Sequence, residues 1–169
     1  KNNRERIDSY IGSLTNYYYL KNYDSVHFYS SQINSFDKIS FNNRNKINLL
    51  SAKSFLDSGD ITKGIDKLLT TINLVNDESA AEANYLLAKV FYSQSQKNQA
   101  LETLYALNEN FSNYDYWVGK SYLLIADIFI SMNEGFQANA TLESLIDNTD
   151  IDEIRIKALE LKNNIDLNE

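Results

Sequence analysis

The 169-residue chain contains no cysteine and no proline, and it contains only one histidine and five glycines. Without cysteine, no disulfide framework and no thiolate nucleophile can form. A single histidine, His27, cannot build a zinc site or a Cys-His pair, and Gly59 and Gly64 do not form a phosphate-binding fingerprint. We therefore predict no metal, no cofactor and no catalytic residue in this chain.

The absence of proline and the scarcity of glycine also favour an all-α fold. No residue forces a helix to break, and few glycines are present for β-hairpin turns. No stretch approaches 18 consecutive apolar residues, so we predict no membrane span. With 16 basic and 23 acidic residues the formal net charge is −7, which disfavours a protein that neutralises nucleic-acid phosphates.

The segment 81–114 predicts two short amphipathic helices joined by a polar turn at 95–98. Apolar residues recur at a three- to four-residue spacing on both sides of that turn. Ala88 and Ala100 lie where two antiparallel helices need small side chains to approach closely, and Phe91 and Leu104 fill the space beside them. This segment is typical of a helical hairpin.

The same pattern recurs in three further places along the chain. The first small or apolar residue falls in turn at Leu14, Ala52, Ala88 and Ala126. An aromatic residue follows three positions later, at Tyr17, Phe55, Phe91 and Phe129. The partner in the second helix lies at Val26, Gly64, Ala100 and Ala138, and the next apolar position is Leu68, Leu104 and Leu142, with Ser30 in the first copy.

This pattern resembles the tetratricopeptide repeat (TPR), which places a small residue, an aromatic, an alanine and a bulky apolar residue at its eighth, eleventh, twentieth and twenty-fourth positions. The resemblance implies a right-handed superhelical solenoid of four antiparallel hairpins, at about 7–40, 45–78, 81–114 and 119–150, with a capping helix at about 151–166. The eighth positions are 38, 36 and 38 residues apart instead of 34. We expect longer connections between the repeats, within a single array spanning 1–169.

Local signals predict where several helices begin and end. The first helix is expected over about 4–20 and its partner over about 22–36. A polar connector is expected over 37–45, and its two apolar residues, Ile39 and Phe41, are expected to pack under the next hairpin.

Other signals mark later helix ends and starts. Gly59 suits the residue after a helix, and Asp60 suits the N-cap of the next one. Ser79 and Glu82 match a capping box. The spacing of apolar residues after Asp152 predicts a final amphipathic helix, which is either a cap or the first helix of a further repeat.

In the TPR family the first helix of each hairpin lines a concave groove. The resemblance places these positions in the groove wall: Ile11, Tyr18, Tyr19, Leu49, Lys53, Leu56, Tyr85, Lys89, Tyr92, Leu123, Asp127 and Ile130. Tyrosines are frequent binding anchors, although each is equally compatible with burial between repeats. Lys53 and Lys89 occur without the asparagines of a terminal-carboxylate clamp, which disfavours that type of co-chaperone.

The function implied is a non-enzymatic scaffold that binds a peptide or partner protein in the groove, or stacks on further repeats of its own chain. One alternative is a helical-toroid glycan hydrolase, but it needs converging acids, and only Asp127 falls well inside the predicted wall. The other alternative is an RNA-binding helical repeat, which needs a basic groove with Lys53, Lys89 and Lys120 on one face.

The segment 114–148 also resembles the last repeats of long TPR proteins of the Gram-negative cell envelope. The shared features are its tyrosine-tryptophan, lysine-serine and phenylalanine-glutamine-alanine pattern. This resemblance implies a bacterial origin, a periplasmic or cell-envelope location, and a chain that is the C-terminal part of a longer array. It implies no specific mechanism.

Overall fold

In the computed structural model, which describes residues 3–34 and 38–166, the chain is all helical. This part of the chain contains nine α-helices and no strand. In chain order they are α1 Asn3–Tyr19, α2 Tyr23–Asn34, α3 Phe41–Asp57, α4 Ile61–Leu74, α5 Glu78–Ser93, α6 Lys97–Asn110, α7 Asp115–Ser131, α8 Gly135–Asn148 and α9 Asp152–Asp166. The all-α prediction is confirmed. The chain forms two compact units, Lys1–Ala83 and Asn84–Glu169, and the single array stays a prediction.

The core of the first unit lies between α1, α2 and α3. Leu14 and Val26, the residues predicted at the closest approach of the first two helices, are both fully buried. They pack in one cluster with Ile33 and Ile47. Because these residues recur at helical spacing, each helix presents one continuous apolar face to its neighbours.

The helices α3 and α4 are in close contact at a glycine. Ala52 and Gly64 are both buried, and a Cβ atom on Gly64 would lie 2.4 Å from Cδ2 of Leu56. The small residues predicted for this hairpin therefore allow the two backbones to come together.

The local signals for the turn between α3 and α4 are confirmed. Gly59 has a φ of +88°, which a residue with a Cβ atom rarely adopts. The Asp60 side chain accepts a hydrogen bond from the Lys63 main-chain N–H at 3.2 Å, as an N-cap does. Glycine and aspartate therefore end one helix and begin the next.

Two other local predictions are wrong. The capping box of Ser79 and Glu82 does not form, because α5 begins at Glu78 and the Asp77 side chain accepts from Ala80 N–H at 3.0 Å. The polar connector is also shorter than predicted, since the Ser40 side chain caps α3, which begins at Phe41. The predicted end of the second helix, at about residue 36, lies outside the described residues.

Of the two connector residues predicted to pack under the second hairpin, Ile39 and Phe41, only Ile39 is buried. Ile39 is buried in the first unit, but Phe41 is 61% exposed. Phe41 occupies the first position of α3, where its side chain points away from the core of that unit.

The second unit has two adjoining apolar clusters. Ala88 and Ala100 are fully buried in the first cluster, where α5, α6 and α7 meet. Ala126 and Ala138 are fully buried in the second cluster, where α7, α8 and α9 meet. The predicted final helix is present as α9, which packs on both α7 and α8.

Candidate functional site

In the first unit, Tyr18 and Lys53 lie together and both already have partners. Lys53 Nζ is 2.7 Å from Glu82 Oε1 and 5.5 Å from the centre of the Tyr18 ring. The Tyr18 hydroxyl donates a hydrogen bond to Asp57 Oδ2 at 2.7 Å. Burial, and then the Asp57 carboxylate, raise the pKa of Tyr18 above its ordinary value. These side chains therefore satisfy one another within the unit.

The remaining predicted groove residues of the first unit differ in exposure. Tyr19 is 76% exposed, Leu49 is buried, and Leu56 is half-buried against Gly64. Ile11 is half-buried and packs on the core of the unit. Leu49 consequently contributes to the interior of the unit rather than to a free surface.

In the second unit, three of the predicted residues line one cavity of about 330 Å³. They are Tyr85 from α5 and Leu123 and Asp127 from α7. The other lining residues are Lys120, Leu124, Lys157, Glu160, Leu161 and Asn164. The cavity is therefore an open one, lined by residues of α5, α7 and α9.

A second cavity of about 390 Å³ adjoins the first. Asp127, Leu161 and Asn164 line both cavities, and Ile130 and Ile165 give the second one an apolar side. We call the two cavities together the α7/α9 groove. Ile130, another predicted residue, is 37% exposed at this end of it.

Aromatic and cationic side chains meet at the Tyr85 end of the groove. The Tyr85 ring lies 5.7 Å from the Trp117 ring, and Lys120 Nζ and Lys89 Nζ lie 5.6 Å and 6.0 Å from its centre. Burial, followed by the charge of Asp127 and the neighbouring Tyr116, raises the pKa of Tyr85 to about 12. The Tyr85 hydroxyl is therefore protonated at neutral pH.

The lysines at this end repel one another. Burial is the main cause that lowers the pKa of Lys120, and the charges of Lys157 and Lys89 lower it further, whereas Glu153 opposes them. Lys157 forms an ion pair with Glu153. Among the described residues, Lys89 and Lys120 form no ion pair.

Asp127 lies at the junction of the two cavities. Its half-buried carboxyl group has no hydrogen bond or ion pair within the described residues, and burial raises its pKa above the ordinary value of 3.8. Its main-chain carbonyl faces the Tyr92 hydroxyl at 3.5 Å. Tyr92 is half-buried, packs against the adjoining apolar cluster and lines neither of the two cavities.

Sequence reasoning missed the contribution of α9. The predicted groove wall contains no residue of this helix, but its Lys157, Glu160 and Leu161 line the first cavity. The available signal was the alternative interpretation of α9 as the first helix of a further repeat, since first helices line the groove in the TPR family.

His27, the single histidine, belongs to the first unit. Its ring stacks on Phe55 with 3.7 Å between the ring centres, and Nε2 lies 3.3 Å from Ser54 Oγ. Within residues 3–34 and 38–166, no cluster of three or more His, Cys, Asp or Glu side chains is placed to hold a metal ion. No helix in the same ranges is long and apolar enough to cross a membrane.

Comparison with known proteins gives a structural match without a sequence match. No family model matches the chain, and no curated protein matches its sequence. The structure is similar to that of a candidate kinesin light chain from Podosopora anserina with nearly identical TPR-like repeats, with a TM-score of 0.68 and 13% identity. A single-residue variant of that protein matches with a TM-score of 0.69 and 12% sequence identity. Both alignments cover 98% of this chain and 87% of the other chain. The chain therefore has the fold of TPR-like helical repeats.

Proposed function

We propose that this protein is a non-enzymatic scaffold that binds a peptide segment of a partner protein in the α7/α9 groove of its second unit. The observation that supports this most directly is the unpartnered Asp127 carboxyl group at the junction of the two cavities. A half-buried carboxylate is stabilised by a hydrogen-bond donor, and the main chain of a bound peptide supplies such donors.

The composition of the groove also fits a peptide better than a compact metabolite. It combines an apolar end around Ile130 and Ile165 with a cationic, aromatic end around Tyr85. Extended peptides are recognised by pockets for separate side chains together with polar contacts to the main chain. The two linked cavities provide both.

The test is selection of a displayed random dodecamer library on the immobilised protein, using two matched variants. Ile130→Glu places a charge at the apolar end of the groove. Ile156→Glu makes the same change on α9 at a side chain that is 55% exposed and lines neither cavity. We expect peptides to be enriched on the unmodified protein and on Ile156→Glu, and to be lost on Ile130→Glu.

Equal enrichment on both variants would show that the groove is not the binding surface. No enrichment on any of the three proteins would contradict peptide binding altogether. Circular dichroism of each variant confirms that the helices are retained.

We further propose a bacterial cell-envelope location. The support is the resemblance of residues 114–148 to envelope TPR proteins, through the Tyr116-Trp117, Lys120-Ser121 and Phe136-Gln137-Ala138 pattern. Fractionation of source cells, with an antibody against this chain, tests the proposal. Recovery in the cytoplasmic fraction alone would contradict it.

A further inference from the structure

We propose that the α7/α9 groove selects an extended peptide segment in which an acidic side chain lies four or five residues from an apolar one. The acidic residue would contact Lys89 and Lys120, and the apolar residue would contact Ile130, Leu161 and Ile165. This inference rests on the proposed function and specifies the partner chemistry at the same site.

The spacing follows from the geometry of α7. Lys120, Leu123, Asp127 and Ile130 follow one another at intervals of three, four and three residues, so they form one stripe along the helix. From Lys120 to Ile130 the stripe rises about 15 Å, at 1.5 Å per residue. An extended peptide advances about 3.3 Å per residue, so four or five of its residues span the same distance.

The acidic specificity follows from charge. Lys89 and Lys120 lie over the same tyrosine ring without an ion pair among the described residues, and Lys120 also lies near a third lysine, Lys157. A carboxylate near these ammonium groups would offset their mutual repulsion and could accept charge-assisted hydrogen bonds from them.

The apolar specificity follows from the lining of the second cavity. Ile130 is exposed at its edge, and Leu161 and Ile165 from α9 line the same cavity. Burying an aliphatic or aromatic side chain there removes apolar surface from water on both partners.

Asp127 restricts where the acidic residue of the peptide can lie in the groove. Asp127 lies between the two contact points, and Glu160 lines the Lys120 cavity from α9. An acidic peptide residue is therefore favoured only next to Lys89 and Lys120 and is repelled beside Asp127. The main-chain N–H groups in the middle of the peptide can donate to Asp127.

Nucleic acid is the competing occupant of a lysine cluster. The formal net charge of −7 opposes the approach of a polyanion, and Asp127 and Glu160 line the same groove as the lysines. A peptide needs only one acidic side chain at this position, so the charge distribution favours the peptide.

The experiment uses the dodecamers enriched on the unmodified protein. Their aligned sequences should show aspartate or glutamate four or five positions from an aliphatic or aromatic residue. The strongest peptide is then synthesised with a fluorescein label, and its Kd is measured by fluorescence anisotropy. A fluorescein-labelled dodecamer of uridylate is measured in parallel.

A double-mutant cycle isolates the charge contact. Lys120→Met keeps most of the buried stem of the side chain and removes its charge, whereas Lys46→Met makes the same change at an exposed residue of α3. We expect Lys120→Met, or replacement of the peptide glutamate by glutamine, to weaken binding by roughly tenfold, as for a charge-assisted contact. Combining the two changes should add little, and Lys46→Met should leave the Kd unchanged.

Two outcomes overturn this inference alone. Enriched peptides without an acidic preference, whose binding is lost on Ile130→Glu, would leave the scaffold function intact and refute the acidic motif. If the effects of Lys120→Met and of the glutamate-to-glutamine change in the peptide add, the two groups do not interact, and the acidic motif is refuted in the same way. If the oligouridylate binds more tightly than the peptide, RNA and not a peptide is the occupant of the groove. The absence of any enrichment would refute the proposed function as well.

Discussion

Gly119 in α7 and Ile154 in α9 are so close that a Cβ atom on Gly119 would lie 2.9 Å from Cγ2 and 3.1 Å from Cγ1 of Ile154. Ile154 is fully buried, and its β-branched side chain has little freedom to turn away. The missing side chain therefore lets α9 pack directly on α7. This contact brings Lys157 and Leu161 to the groove.

Replacing Gly119 by alanine should destabilise the second unit. Overpacking costs about 1 to 3 kcal/mol, and the higher helix propensity of alanine returns about 1 kcal/mol. We expect the free energy of unfolding to fall by about 1 kcal/mol in urea denaturation. Gly12→Ala is the control, because apart from its chain neighbours and its own helix backbone no atom lies within 4 Å of the added Cβ atom, so it should be neutral or stabilising. A stabilising effect of both changes would contradict the close contact.

Replacing Ala88 by leucine should disrupt the packing of α5 against α6 and α7. Ala88 is fully buried in the cluster that contains Ala100 and Leu104, so a larger side chain there would have to displace its neighbours. We expect a loss of roughly 1 to 3 kcal/mol, measured by urea denaturation. Gln99→Leu on α6 introduces the same residue at an exposed position and should cost little. Equal stability of the two variants would refute the predicted role of the small residues.

Replacing Asp77 by alanine should destabilise the first unit. Asp77 Oδ1 accepts from the Ala80 N–H at 3.0 Å and from Asn45 Nδ2 at 2.9 Å, and both Asp77 and Asn45 are buried. The change removes the cap of α5 and one partner of a buried amide, so we expect a loss of about 1 to 3 kcal/mol in urea denaturation. Asp66→Ala, at an exposed position of α4, should change the stability by less than about 0.5 kcal/mol.

The free energy of unfolding should decrease as the pH is lowered, because protonation of His27 is disfavoured in the folded protein. Burial lowers the pKa of His27 from its ordinary value of 6.5, and the nearby Asp24, Lys63, Asp60 and Lys67 partly offset one another. The unfolded chain therefore binds a proton at a higher pH than the folded one, so stability is lost as the pH falls through about 6.5 toward the lower folded pKa. His27→Phe retains a ring against Phe55 and should lose less stability between about pH 7.5 and 5.5.

Thermal unfolding at several pH values measures this difference. The chain has no other histidine, so no second imidazole contributes in this range. Parallel curves for the two proteins would contradict the lowered pKa of His27.

Asp127 should change the stability with pH in the opposite direction to His27, because its pKa is raised by burial. Burial raises its pKa above 3.8, so the folded state binds the proton at a higher pH than the unfolded chain. The charged carboxyl group consequently reduces stability at pH values above its folded pKa, and this loss is relieved as the pH falls toward 3.8. Asp127→Asn should be more stable than the unmodified protein at pH 7, and the difference should decrease in thermal unfolding as the pH falls through the raised folded pKa of Asp127 toward 3.8. A constant difference would show that ionisation is not the cause.

Much of the secondary structure was predictable because it depends on local signals. The aromatic at Phe91 and the small residues Ala88 and Ala100 have helical spacing, and Gly59 followed by Asp60 marks a helix end and a helix start. The capping prediction at Ser79 failed because Asp77, two residues earlier, provides the same type of acceptor and is also bonded to Asn45. The motif alone does not show whether Asp77 or Ser79 caps the helix, because the bond from Asn45 to Asp77 forms only when the chain is folded.

The candidate site was predictable only in part. Tyr85, Leu123 and Asp127 fall on groove positions of the TPR pattern and line one cavity. Lys53 was predicted for the same surface, but it pairs with Glu82, which is 29 residues away in sequence. Ion pairs between helices depend on packing, so a helical period cannot identify them.

The sequence by itself determined that the chain forms paired helices, because apolar residues at helical spacing can be buried only on one face of each helix and small residues permit close pairs. Only the tertiary structure decided what the second unit presents to a partner. The close contact of Gly119 with Ile154 positions α9 so that Lys157 and Leu161 complete a groove begun by Lys120 and Asp127. Those residues are more than one helix apart in sequence, and packing alone brings their charges and apolar surfaces together.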